Sequence, residues 1–173
     1  MRLRNFLIYS ASCLILFGAA TVSAHARTMT ATPAMTKDPV TPSVVPYAAP
    51  EAASVTVNAA LARAKTSGRP VLLIFGGNWS PDCWALAGVL ALPSVAAWVA
   101  QNFEVALVNV GRLNTNMDIA KTYGVTVEGV PTVLVLSSAG KLLNGDNVLA
   151  LSQAKQMTSQ AIVDQLAAWG AKG

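Results

Sequence analysis

The sequence predicts an α/β fold in which a central mixed β-sheet is flanked by helices, and three observations carry that expectation. Residues 69–90, RPVLLIFGGNWSPDCWALAGVL, pass from an unbroken apolar run through a glycine-marked turn into a run of helix-forming apolar residues. A second apolar run, residues 103–110, follows a stretch with helical spacing, so the first two strands are joined by a helical crossover and run parallel. A third, residues 131–136, is followed by a turn at 137–140 and a short segment at 141–143, which reads as a hairpin and an antiparallel return strand.

The elements follow in chain order. Val57, Ala60, Leu61 and Ala64 fall on one helical face, and Ser67-Gly68 ends that helix just before the first strand. Residues 71–75 are apolar and rich in β-formers without alternation, as a strand buried on both faces would be. Gly76, Gly77 and Asn78 break the run, and Trp79 follows. Ser80-Pro81-Asp82 is then close to an ideal helix start, with serine at the N-cap, proline at N1 and an acid in the first turn. This puts Cys83 at N3, ahead of Ala85, Leu86, Ala87, Val89 and Leu90. Pro93 opens a further segment in which Val95, Trp98 and Val99 are spaced for burial. Asn114 and Asn116 offer caps for a short helix holding Ile119, Ala120 and Tyr123. Residues 144–157 carry no decisive period, and Ile162, Leu166 and Trp169 mark a closing helix with Gly170 beyond its end.

A buried strand, a tight turn and a helix that starts with a thiol resemble the thioredoxin superfamily. The motif Trp79-Ser80-Pro81-Asp82-Cys83 is similar to that family's Trp-Cys-x-x-Cys, with the second cysteine present as Cys83 and serine at the position of the first. Tyr123-Gly124, then Gly129-Val130-Pro131-Thr132 leading into residues 133–136, looks like the family's cis-proline loop and the strand after it. The resemblance covers about residues 54–170. It implies a thioredoxin-like fold, a surface position for Trp79, and a backbone beside Pro131 that pairs with an extended peptide. Trp79, Pro81, Asp82, Val130 and Pro131 are therefore the candidate peptide-binding surface.

The same resemblance defines what is missing. In such sites the first cysteine attacks a disulfide as a thiolate stabilised by the helix N-terminus, and the second resolves the mixed disulfide. Ser80 stands where that nucleophile would be, and an alkoxide is not accessible near neutral pH without a base. Cys83 is left as a candidate monothiol in the resolving position. Six residues before Ser80, where thioredoxin proper has a buried aspartate, the chain has Ile74, and Leu107 stands near the place of the lysine that partners it. An apolar interior with no base leaves a thiol slow to react. Ser80 also reads as a plain N-cap, and Cys83 as a small buried core residue.

Composition bounds the rest. Arg2 and Arg4 precede an apolar stretch at residues 6–20, and Ala24-His25-Ala26 offers a cleavage site, so residues 1–26 read as a signal peptide and the protein as periplasmic or secreted. An uncleaved anchor is the competing reading, against which the apolar core is short for a bilayer. Cleavage removes Cys13 and His25, leaving Cys83 as the one cysteine and no histidine. That argues against Ser-His or Cys-His catalysis and against a histidine-based metal site. No cofactor or metal is expected. With Arg2 and Arg4 gone the formal charge falls from +4 to +2, and no basic run suggests a nucleic-acid partner. No membrane span remains after signal cleavage. Residues 27–53, rich in Ala, Thr, Pro and Val, read as a linker or disordered arm, and residues 54–173 as the thioredoxin-like domain.

Two functions emerge. One is an exported thioredoxin-like protein related to thiol–disulfide exchange, with dithiol activity impaired or absent. The other is a redox-inactive module that binds an unknown protein or peptide partner through the Trp79 and Pro131 surface.

Overall fold

The computed structural model describes residues 28–35 and 40–173; the expected leader over residues 1–26 lies outside the described residues. At the centre is β1 (Val71–Gly76), buried at every residue. β2 (Glu104–Asn109) pairs with it in parallel, Val71 opposite Glu104 and Gly76 opposite Asn109. β3 (Thr132–Leu136) pairs antiparallel on the other side, Val71 opposite Leu136 and Phe75 opposite Thr132. The order β2-β1-β3 is the mixed sheet that the crossover and the hairpin predict.

Alternation along β1 sorts its side chains into two layers. Leu73 and Phe75 face α1 (Ala53–Ser67), which buries Val57, Ala60 and Ala64. Leu72 and Ile74 face α2 (Pro81–Leu90) and α3 (Pro93–Asn102), with Cys83, Leu86, Val95 and Val99 in the same cluster. A strand sandwiched this way has no solvent face, hence the unbroken apolar run. Truncating a side chain such as Leu72 would cost about 2–5 kcal/mol. α4 (Met117–Lys121) adds Ala120 to the α1 layer, and α5 (Ser159–Gly170) adds Ile162, Val163, Leu166 and Trp169 to the other.

Local chemistry sets the boundaries. α1 stops at Gly68, whose φ of 70° is left-handed and suits glycine. α2 and α3 meet at a bend of 83°. Pro93, at N1 of α3, has no N–H with which to continue the α2 ladder. Asn116 does stand at the N-cap of α4, but it makes no capping bond. Its Nδ2 donates instead to the carbonyls of Pro50 and Asn109, each at 2.8 Å, which ties this loop to the arm and to β2.

The return strand expected at 141–143 shrinks to one bridge, Leu136 with Leu142. Asn144 is the reason. Its buried amide accepts from Val135 N at 2.8 Å and donates to Val133 O at 2.9 Å, standing in for a strand's peptide group. Leu143 N donates to Val135 O and Val133 N to Val148 O, at 2.8 and 2.9 Å. The outer edge of β3 is thus closed by loop groups, and the chain is free to leave through residues 144–157 toward α5.

At the start of β2 the carboxylate of Glu104 is buried, accepting from Arg63 Nε at 2.7 Å, from Arg69 Nη2 and from Ser67 Oγ at 3.1 Å. Burial works to raise its pKa, but the hydrogen bonds from Arg63, Arg69 and Ser67 together win and hold it below the ordinary carboxylate range. A carboxyl with a depressed folded pKa adds stability that is complete above the unfolded value, about 4.3 for Glu, and is lost as pH falls through the folded value. Urea midpoints should therefore fall on acidification below pH ~4.3, and Glu104→Gln should flatten that acid limb. At neutral pH the same substitution should cost about 1–3 kcal/mol, since it leaves two guanidiniums poorly paired.

Candidate functional site

The motif loop leaves β1 at its C-terminal end. The Ser80 side chain accepts from Cys83 N at 3.3 Å, the N-cap geometry that the Ser-Pro-Asp signature predicts, and both residues are buried. The Ser80 hydroxyl is thereby engaged in the first turn of α2, and among the described residues no cluster of His, Cys, Asp or Glu could hold a metal ion. Cys83 is a free thiol with 1% of its surface exposed. Ile74 lies in the same cluster and is flanked in the sheet by Leu107 and Val133, so the interior behind the thiol is apolar.

The other predicted positions surround this point. Trp79 is exposed at 37%, with its indole N–H donated to Gly111 O and the Arg112 guanidinium 5.6 Å over the ring. Pro81 is exposed, and Asp82 accepts from Lys155 N at 3.0 Å, which turns its carboxylate toward the segment before α5. The Val130–Pro131 peptide bond is cis, with Pro131 buried and Val130 half-buried. Since Phe75 pairs with Thr132, Pro131 comes level with Gly76, at the end of the sheet where the motif loop departs. Ser80 and Cys83 are in direct contact; Trp79 and Asp82 point to different neighbours around them.

A residue that sequence reasoning missed covers the thiol. Composition marks residues 27–53 as an arm, and residues 40–48 carry no helix or strand, yet they are seated on α2. Ser43 N donates to Trp84 O at 3.1 Å, and Gly88 lets the chain at Thr41 pass where a Cβ would collide. Tyr47 exchanges two hydrogen bonds with Asn78, its N–H to Oδ1 at 3.0 Å and its carbonyl from Nδ2 at 2.9 Å. Its ring, 4% exposed, lies over Gly76 with the hydroxyl on the same side as the Cys83 sulfur. A Cβ at Gly76 would strike both the Tyr47 hydroxyl and the Cys83 sulfur, so glycine is required there by close approach. Burial first, and then the Cys83 thiol beside it, push the Tyr47 phenol far above its ordinary range. One signal was available: Tyr47 is the sole aromatic residue of the arm.

The topology, the helix-capping motif and the proline loop together make one pattern, and a family model described as thioredoxin-like matches residues 51–138. The chain belongs to the thioredoxin-like family. A disulphide isomerase from Xylella fastidiosa Temecula1 is 35% identical and superposes with a TM-score of 0.67, over 72% of this chain and 95% of that one. Two other solved structures overlay more loosely. The reduced C-terminal domain of DsbD from Neisseria meningitidis is 25% identical over 60% of this chain and 95% of its own, with a TM-score of 0.40. A thioredoxin from Thermus thermophilus is 29% identical over 57% of this chain and 81% of its own, with a TM-score of 0.38. None of the curated proteins matches the chain. Within this thioredoxin-like domain, no single described helix is long and apolar enough to cross a membrane.

Proposed function

We propose that the chain is an exported thioredoxin-like protein related to thiol–disulfide exchange, in which the two-thiol reaction is impaired or absent. Identity of 35% to a protein described as a disulphide isomerase supports the relation to exchange chemistry. The observation that carries the impairment is Ser80. It occupies the nucleophile's position, is buried, and already accepts the Cys83 N–H as a helix cap. Disulfide exchange needs a thiolate to attack sulfur and a second thiol to release the mixed disulfide. A hydroxyl supplies neither, and Cys83, the one cysteine left once cleavage has removed Cys13, cannot store two electrons as an internal disulfide. Assayed on a protein disulfide with a reductant supplied, the wild type should show no catalytic turnover above the reductant alone. Robust turnover that vanishes in Cys83→Ala would overturn the reading and leave a monothiol enzyme.

Export rests on the basic start, the apolar stretch and Ala24-His25-Ala26. Intact mass of protein recovered from an oxidising compartment should correspond to loss of residues 1–26; a membrane species that retains Met1 would refute this.

A second reading, a redox-inactive module that binds a peptide or protein, is favoured by Trp79. It is an exposed indole fixed in place by Gly111 and Arg112, at the sheet end where Pro131 also lies.

A further inference from the structure

The sheet has two outer edges, and they differ. That of β3 is closed group by group, by Leu143, Asn144 and Val148. That of β2 is not. Glu104 N donates to Pro70 O and Val110 N to Gly76 O, each at 2.9 Å, so the intervening Val105 and Leu107 turn their N–H and C=O away from β1. Among the described residues no strand or loop pairs with them.

Beside this edge is a cavity of about 660 Å³ walled by Leu86, Leu90, Val99, Phe103, Val105 and Leu107. Its volume is that of a ligand site, and its wall is apolar, as such sites mostly are. The end nearest the start of β2 carries Arg63, Arg69 and Glu104. Two guanidiniums face one carboxylate there, which leaves a positive charge uncompensated, and Arg69 Nε is buried without a hydrogen-bond partner.

We propose that this edge receives an extended apolar peptide, running antiparallel to β2, with its C-terminal carboxylate on Arg63 and Arg69. The strand supplies partners to the N–H and C=O of Val105 and Leu107, the more stable antiparallel way. Every second side chain enters the cavity and the others face solvent. β2 runs away from Glu104, so a peptide whose carboxylate lies at the arginines must run opposite to it. That carboxylate balances the charge and offers the missing acceptor in charge-assisted bonds. A fatty acid would answer the cavity and the charge but leave the four backbone groups unpaired. The site lies across β1 from Pro131, and its far wall reaches Tyr47, Ile74 and Cys83, so the cavity adjoins the covered thiol while the strand pairing concerns only the β2 edge.

The test uses a short synthetic peptide alternating valine and serine with a free C-terminal carboxylate, its C-terminal amide, and a form N-methylated at alternate residues. Binding is followed by NMR, with amide hydrogen exchange read at Val105 and Leu107. The acid peptide should slow exchange at both amides, the amide should bind about tenfold more weakly or worse, and the N-methylated form should not bind. Arg63→Gln should weaken the acid peptide without affecting the amide. Ala96→Trp, at an exposed position on the cavity rim, should abolish binding while the urea midpoint holds. The proposal is overturned if no peptide binds, or if acid and amide bind equally. It is also overturned if the peptide perturbs Trp79 and Thr132 but not Val105 and Leu107, if sodium laurate protects these amides and the peptides do not, or if a dimer of the chain protects them already.

Discussion

Cys83 should react with a thiol reagent on the order of a hundredfold more slowly in the native protein than in denaturant. With 1% of its surface exposed and the Tyr47 ring over it, the thiol must wait for a local opening. An opening that costs ~3 kcal/mol gives ~100-fold protection, a cost within the range that local and sub-global openings span. The arm is the element expected to open. It is held by the Tyr47–Asn78 pair and by Ser43 N on Trp84 O, without regular structure of its own. Tyr47→Ala should therefore raise the native rate about tenfold or more, whereas Tyr47→Phe keeps the ring and should change it little. Because the phenol titrates only far above its ordinary range, mild alkali should not release the cover. Equal rates in native and denatured protein would instead mark Cys83 as a working thiol. Unchanged protection in Tyr47→Ala, at an unchanged urea midpoint, would show that Tyr47 is not the cover.

What was legible in the sequence was local or strictly periodic. Residues 71–75 announce a doubly buried strand because both neighbouring layers demand apolar side chains. Ser80-Pro81-Asp82 announces a helix start because every group involved lies within one turn, and the Ser80–Cys83 bond is the result. Pro131 and its loop were found by resemblance rather than by chemistry. The parts that were not legible depend on contacts between distant segments. Tyr47 meets Asn78 across 31 residues, and being the arm's one aromatic residue hints that it packs without saying against what. Asn144 reads as a turn residue, yet its amide replaces a strand's backbone, so a pattern that looked like a hairpin yields one bridge. Asn116 shows the converse error: its position was legible and its side chain's partners were not. The Arg63–Glu104–Arg69 cluster gathers residues from α1, the loop before β1 and the start of β2, and only the fold brings them together.

Ser80→Cys should form an internal disulfide with Cys83 and gain slow turnover of a disulfide substrate. The two positions are three apart at a helix start, on one face, and the Ser80 side chain already reaches the Cys83 backbone. Losing the serine cap should cost about 0.5–2 kcal/mol if the new side chain caps no better than alanine, which a domain of ordinary stability, ~5–15 kcal/mol, survives. In each cycle the substrate disulfide would be reduced, the two introduced and native thiols would be oxidised to a bridge, and the supplied reductant would restore them. Turnover should stay sluggish for two structural reasons. Tyr47 covers Cys83, and Ile74, 1% exposed between Leu107 and Val133, can take no proton from a resolving thiol. Ile74→Asp added to Ser80→Cys should then speed turnover while lowering stability, since a carboxylate enters an apolar layer without a partner. The readout is turnover by wild type, single and double variants, beside the mass shift that a thiol-blocking reagent gives before and after reduction. A Ser80→Cys variant that folds but forms no bridge would show that Ser80 does not stand at the position of the missing nucleophile.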